Sequence, residues 1–97
     1  MDSARFYNDK MIHFANNTND LSLSSKGFNQ ASTYYYYSAQ LDTCLYYVKK
    51  AESLSKKVND DRLTSDLFRK LAILSRENGN FNDYEKYSLL SLSLIHI

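Results

Sequence analysis

Few residues in this 97-residue chain could make or break bonds, and they are scattered. His13 and His96 stand near opposite ends, and with Cys44 they give no spacing suited to zinc. Surface or helix-packing roles account for both histidines. Cys44 has no neighbouring His and no Cys-x-x-Cys partner to activate it, so it reads as a small apolar filler. Asp60-Asp61 and the pair Asp83 and Glu85 could share acid/base work, but both lie where helices are expected to start. Capping and helix-dipole stabilisation explain acids at such places. Gly79 stands alone and serves a turn, not a phosphate loop. The groups needed for nucleophilic or metal chemistry are missing, so an enzyme is the weakest functional class, and no cofactor or metal is expected. One cluster remains: the run Tyr34-Tyr35-Tyr36-Tyr37, whose large amphipathic rings suit binding.

Composition narrows the scaffold that must position those rings. Twelve Lys and Arg against eleven Asp and Glu, interspersed, give a net charge of +1 and no basic stripe for nucleic acid. One cysteine permits no internal disulfide. No apolar run approaches the roughly 20 residues of a membrane span, and residues 1–5 lead into no signal-peptide core. The cytoplasm is therefore favoured, with the periplasm open if a leader precedes Met1. Zero Pro, two Gly and nine Tyr leave little of the punctuation that short strands require. The expectation is one all-α domain.

Self-comparison sets the architecture. A shift of 40 residues pairs Asn19-Asp20 with Asn59-Asp60, Ser25 with Ser65, Phe28 with Phe68 and Lys10 with Lys50. The same shift places Tyr7 on Tyr47 and Tyr47 on Tyr87, and Asp2 on Asp42. Forty residues is too long for one helix and suits a helix pair. Over 62–78 the residues Leu63, Leu67, Phe68, Leu71, Ile73 and Leu74 form one apolar stripe. Asn59-Asp60-Asp61 caps its start, and Asn78-Gly79-Asn80 offers a left-handed terminus. Related helices are expected over 22–38 and over 42–57, the latter capped by Asp42 or Thr43 and solvated along Lys49, Lys50, Lys56 and Lys57. Translation adds a helix over 2–17, with Ala4, Tyr7, Met11 and Phe14 inward, and one from 82 onward, with Tyr84, Tyr87, Ser88 and Ser91 inward.

These positions resemble the tetratricopeptide repeat family, in the 40-residue form found in bacterial regulators and scaffolds. Its first helix, A, carries a large residue followed by an apolar and a small one, as do Phe28, Ala31 and Ser32, then Phe68, Leu71 and Ala72. Gly79-Asn80-Phe81 matches the family turn and Ala39-Gln40-Leu41 does so loosely, while Cys44, Tyr47 or Val48, and Ala51 match its second helix, B, as do Ala4 and Tyr7 in the partial first copy. In the last copy Ser75, Tyr84 and Ser88 depart from the pattern, and the family proline after helix B is absent. The resemblance implies a right-handed α-solenoid of antiparallel pairs in the order B-A-B-A-B. Residues 2–20 are a partial repeat, 21–58 one repeat and 61–97 another, so the chain reads as a stretch of a longer array. A HEAT-like or armadillo-like solenoid is the runner-up. A last helix packed back on the first would instead indicate a bundle.

The implied function is non-enzymatic binding of a peptide or protein on the concave face made by the A helices, as the sensor or scaffold part of a larger bacterial regulator. The alternative is a structural spacer with no ligand of its own. The candidate surface comprises Lys26, Asn29, Thr33, Tyr36 and Tyr37 in one copy and Asp66, Arg69, Ile73 and Arg76 in the next. Tyr34 and Tyr35 fall on the packing side. Exposed end faces carrying Tyr7, Phe14 and Tyr87 suggest self-association. Finally, residues 92–97 resemble the translation of a transposase mosaic-end sequencing adapter, which implies that they are not native. An ordinary apolar helix end, with Leu94 matching Leu54 and Phe14, is the other reading.

Overall fold

The structure is a computed structural model and describes residues 3–95. Asp2 and His96, to which the sequence assigned a repeat position and a surface role, lie outside the described residues, as do Met1 and Ile97. Five helices follow in order: α1 (Ser3–Asn17), α2 (Leu21–Tyr37), α3 (Leu41–Lys57), α4 (Asp61–Glu77) and α5 (Phe81–Ile95). No strand occurs among the described residues.

Local chemistry explains where each helix starts and stops. The Asp20 carboxylate accepts from the Ser22 and Leu23 amides at 3.0 and 3.2 Å, and Asp60 accepts from the Leu63 amide at 3.1 Å. At α5 the two side chains reciprocate: Asn80 Oδ1 accepts from the Asp83 amide, and Asn80 Nδ2 donates to Asp83 Oδ2. The expected caps Asp42 and Thr43 are corrected: α3 begins at Leu41, both residues lie inside its first turn, and Gln40 takes the N-cap without a side-chain bond.

Three helices end in the same way. The amides of Gln40, Asp60 and Asn80 reach back to the carbonyls of Tyr35, Ser55 and Ser75, while Ala39, Asn59 and Gly79 bond Tyr36, Lys56 and Arg76. This double bond pattern requires a left-handed residue before the last position, and φ is +59° at Ala39, +56° at Asn59 and +76° at Gly79. Glycine meets that demand freely and Asn tolerates it, whereas Ala pays a steric cost at its Cβ.

Extensive packing runs between consecutive helices only, α1 on α2, α2 on α3, α3 on α4 and α4 on α5. The result is a slab of 38 × 29 × 15 Å. Its contacts repeat with the 40-residue register. Phe28 stacks on Tyr47 at 5.8 Å and Phe68 on Tyr87 at 6.0 Å between ring centroids. Ser25 Oγ donates to the Ala51 carbonyl at 2.8 Å, and Ser65 Oγ donates to the Ser91 carbonyl at 2.9 Å. The opposite seam repeats as well, Ser24 Oγ donating to the Ala15 carbonyl where Thr64 and Ser55 exchange a hydroxyl bond. Phe28, Ala31, Val48, Ala51, Leu67, Phe68 and Leu71 are buried between these seams.

Three further expectations are corrected. Ala4, Tyr7 and Phe14 were expected to face inward in the repeat, Tyr7 and Phe14 also being named as end-face residues; all three are exposed, Tyr7 at 68%, because none of the described helices covers that side of α1. Tyr87 was expected to face inward and also to lie at an open end face; it faces inward, half-buried against Phe68, so the second of these is corrected. Lys50 is not part of the solvated face: its ammonium lies 4.7 Å from the Phe28 ring centre, over the ring. The four tyrosines divide as the sequence suggested. Tyr35 stacks on Tyr47 at 5.5 Å with Tyr34 edge-on against it, while Tyr36 and Tyr37 turn to the other side.

Candidate functional site

Because α2 and α4 each pack on α3 and not extensively on one another, a gap is left between them. It forms a cavity of about 270 Å³ lined by Ser32, Thr33, Tyr36 and Tyr37 from α2, Lys70, Ile73 and Leu74 from α4, and Cys44 of α3. Thr33, Tyr36, Tyr37 and Ile73 of the expected surface thus come together. They do so on one wall each of a concave feature that the helix register alone could only suggest.

Lys70, which the sequence did not single out, is the polar centre of the gap. Its ammonium bonds Asn29 Oδ1, the Asn29 carbonyl at 3.3 Å, Ser32 Oγ at 3.3 Å and Thr33 Oγ1 at 2.8 Å. An ammonium has three protons, so these acceptors already occupy all of them. Burial lowers the Lys70 pKa from its ordinary 10.5. Its neighbour Cys44 is held above 9.0 by burial, against the opposing pull of the Lys70 charge. A thiol kept protonated in this way is a poor nucleophile.

At the mouth, Tyr36 Oη donates to Glu77 Oε1 at 2.9 Å, and this bond, with the carboxylate charge, raises the phenol pKa above 10.0. Tyr37 meets Tyr36 edge-on at 5.5 Å and is 82% exposed, the most open large apolar ring near the cavity. Glu77 is a second residue that sequence reasoning missed.

The remaining expected residues lie outside the lining. Asn29 acts through Lys70. Asp66 and Arg69 pair with each other at 2.8 Å on the exposed side of α4. Arg76 reaches α5, where its guanidinium lies 5.7 Å from the Tyr84 ring centre. Lys26 is exposed on α2. Among the described residues no group of three or more His, Cys, Asp or Glu is placed to hold a metal, and no helix is long and apolar enough to cross a membrane.

Compared with known proteins, the chain matches no family model, no curated protein and no solved structure.

Proposed function

We propose that the chain is a non-enzymatic helical-repeat module that binds a peptide or protein across α2 and α4. In this reading it is a tetratricopeptide-like, right-handed solenoid of antiparallel pairs and belongs to a larger regulator or scaffold. The descending register of contacts along α2 and α3, Ser25 with Ala51 and Tyr35 with Tyr47, supports antiparallel pairing.

The observation that carries the binding reading is the cavity between α2 and α4. At about 270 Å³ it falls just below the roughly 300–1,000 Å³ of small-molecule pockets. Its walls are mostly apolar, and its one ammonium is already saturated. Such a site suits an apolar side chain projecting from a peptide better than a charged metabolite. Tyr37 beside the mouth offers the large, rigid contact area common at binding hot spots.

The test is selection of binding peptides from a random library on the folded protein, followed by titration of Tyr37→Ala and Ile73→Ala. Loss of affinity of about tenfold or more in each, with helicity unchanged, is expected. Failure to select any peptide, or equal affinity in the variants, would favour the spacer reading. That reading has its own support in Lys70 and in the Asp66 to Arg69 pair, whose polar groups are spent within the chain.

A further inference from the structure

The start of α1 and the end of α2 meet at a second cavity, of about 500 Å³, within the roughly 300–1,000 Å³ of small-molecule pockets. Arg5 and Asp9 of α1 line it, with Tyr34 and Tyr35 of α2 and with Ser38 and Gln40 of the turn that follows. A guanidinium, a carboxylate, three hydroxyls and an amide thus border one space, and none of them has a hydrogen-bond or ion-pair partner among the described residues. The molecule holds its own control for this arrangement. Forty residues on, the same junction of α3 with α4 carries Leu45 for Arg5 and Leu74 for Tyr34, both packed into the core, and Val48 for the buried Asn8. Of the two ionised residues only Asp9 has a charged counterpart, Lys49, and its sign is opposite. Apolar side chains therefore suffice to close this junction, and the fold does not require the polar set of the first copy. Nor does the cavity depend on the bare outer side of α1. Arg5 and Asp9 lie two positions before and after Tyr7 and so point about 160° away from it. On their side of the helix Asn16 Oδ1 accepts from Lys50 of α3 at 3.4 Å.

We infer that this cavity binds a small zwitterion, a free α-amino acid, whose carboxylate lies on the Arg5 guanidinium and whose ammonium lies on Asp9. A simple anion would meet Arg5 and be repelled by Asp9, and a simple cation the reverse. A molecule that carries both charges satisfies both groups. Side chains one helical turn apart have roots about 5–6 Å from each other, which suits two charges joined through a single carbon. The guanidinium offers the planar pair of donors that a carboxylate takes. The hydroxyls of Tyr34, Tyr35 and Ser38 and the Gln40 amide supply further acceptors for the ammonium, and the Tyr34 ring, edge-on to Tyr35 at 5.2 Å, gives the side chain of the ligand an apolar wall. Tyr35 is itself fixed by its stack on Tyr47 at 5.5 Å, so the wall stands before a ligand arrives. The inference is independent of peptide binding at the α2 and α4 cavity.

The experiment titrates the standard L-α-amino acids, one at a time, onto the whole chain and follows binding by calorimetry. The expected result is saturable binding of at least one of them that falls about tenfold or more with Arg5→Gln and, separately, with Asp9→Asn. The decarboxylated amine and the deaminated acid of that amino acid, each keeping one charge, bind more weakly by a similar factor. Tyr37→Ala, at the other cavity, leaves binding unchanged. Arg5 and Asp9 are exposed, so their replacement leaves the fold intact, which circular dichroism checks. No saturable binding of any amino acid at millimolar concentration overturns the proposal. Binding indifferent to either substitution also overturns it, as does equal binding of the amine or the acid, since one charge would then be enough.

Discussion

Ala39 and Gly79 occupy the same place in successive copies, yet only one of them suits its backbone. A left-handed alanine costs about 1–2 kcal/mol, part of which returns as the greater freedom of glycine in the unfolded chain. Ala39→Gly should therefore stabilise the protein by about 0.5–1 kcal/mol and raise its melting temperature by a few degrees, as a thermal melt would record. Asn8 is a second misfit. It is buried where the next copy has Val48, and its Nδ2 has no hydrogen-bond partner. An unpaired buried amide costs about 1–3 kcal/mol, so Asn8→Val should raise the urea midpoint by the equivalent of about 1 kcal/mol. An unchanged midpoint would show that the amide reaches water. Cys44 gives a pH readout. Its thiol keeps its proton in the fold beyond the pH at which the unfolded thiol ionises. The stability it contributes is thus fully present below about pH 8.5–9 and declines above that range. At pH 8 the native thiol should react with an aromatic disulfide more slowly than the denatured one.

At the scale of helices, the ends were legible because their determinants are local. Asp20, Asp60 and the Asn78-Gly79-Asn80 turn act within a few residues of sequence, and the observed helices start within about one residue of where they were expected. Gln40 carries no such signal, so the start of α3 was assigned to the wrong cap. Lys70 was illegible for a different reason. A lysine on a helix usually faces water, and only the apposition of α2 and α4 across α3 buries this one. Glu77 was hidden likewise, since its partner Tyr36 is distant in sequence. The ammonium ties two helices that otherwise barely touch, which makes it the test of their spacing. Lys70→Ala should cost about 1–3 kcal/mol in a urea titration, because Asn29, Ser32 and Thr33 lose a charged donor together. A loss below about 0.5 kcal/mol would mean that α3 alone holds α2 and α4 in place.

Across the whole molecule, the 40-residue register read from the sequence recurs in ring stacks and hydroxyl bonds. Translation of a pattern assumes a neighbour at every step, so the ends of the register are where faces stay bare. Tyr7 and Phe14, inward by translation but named with Tyr87 as exposed end faces, are exposed, whereas Tyr87 is half-buried against Phe68. The outer side of α5 breaks the pattern in another way: Leu89 and Leu92 are 60% and 53% exposed where the preceding copy has Lys49 and Glu52. Exposed apolar pairs of this kind favour association. The double variant Leu89→Lys with Leu92→Glu should stay monomeric across the micromolar range in sedimentation velocity while the parent chain grows in mass, and identical profiles would remove α5 from consideration. Packing between consecutive helices alone has one more consequence, for how the molecule yields and re-forms. Most of the packing joins helices adjacent in sequence, the bonds of Lys70 and of Tyr36 with Glu77 between α2 and α4 being exceptions, so little loop-closure entropy stands in the way of folding, and a microsecond-to-millisecond rate is expected. Pulled by its two ends, such a chain has the polar tie between α2 and α4 to break but no extensive long-range packing. It would pay out helix by helix, a compliant spring more than a brittle knot.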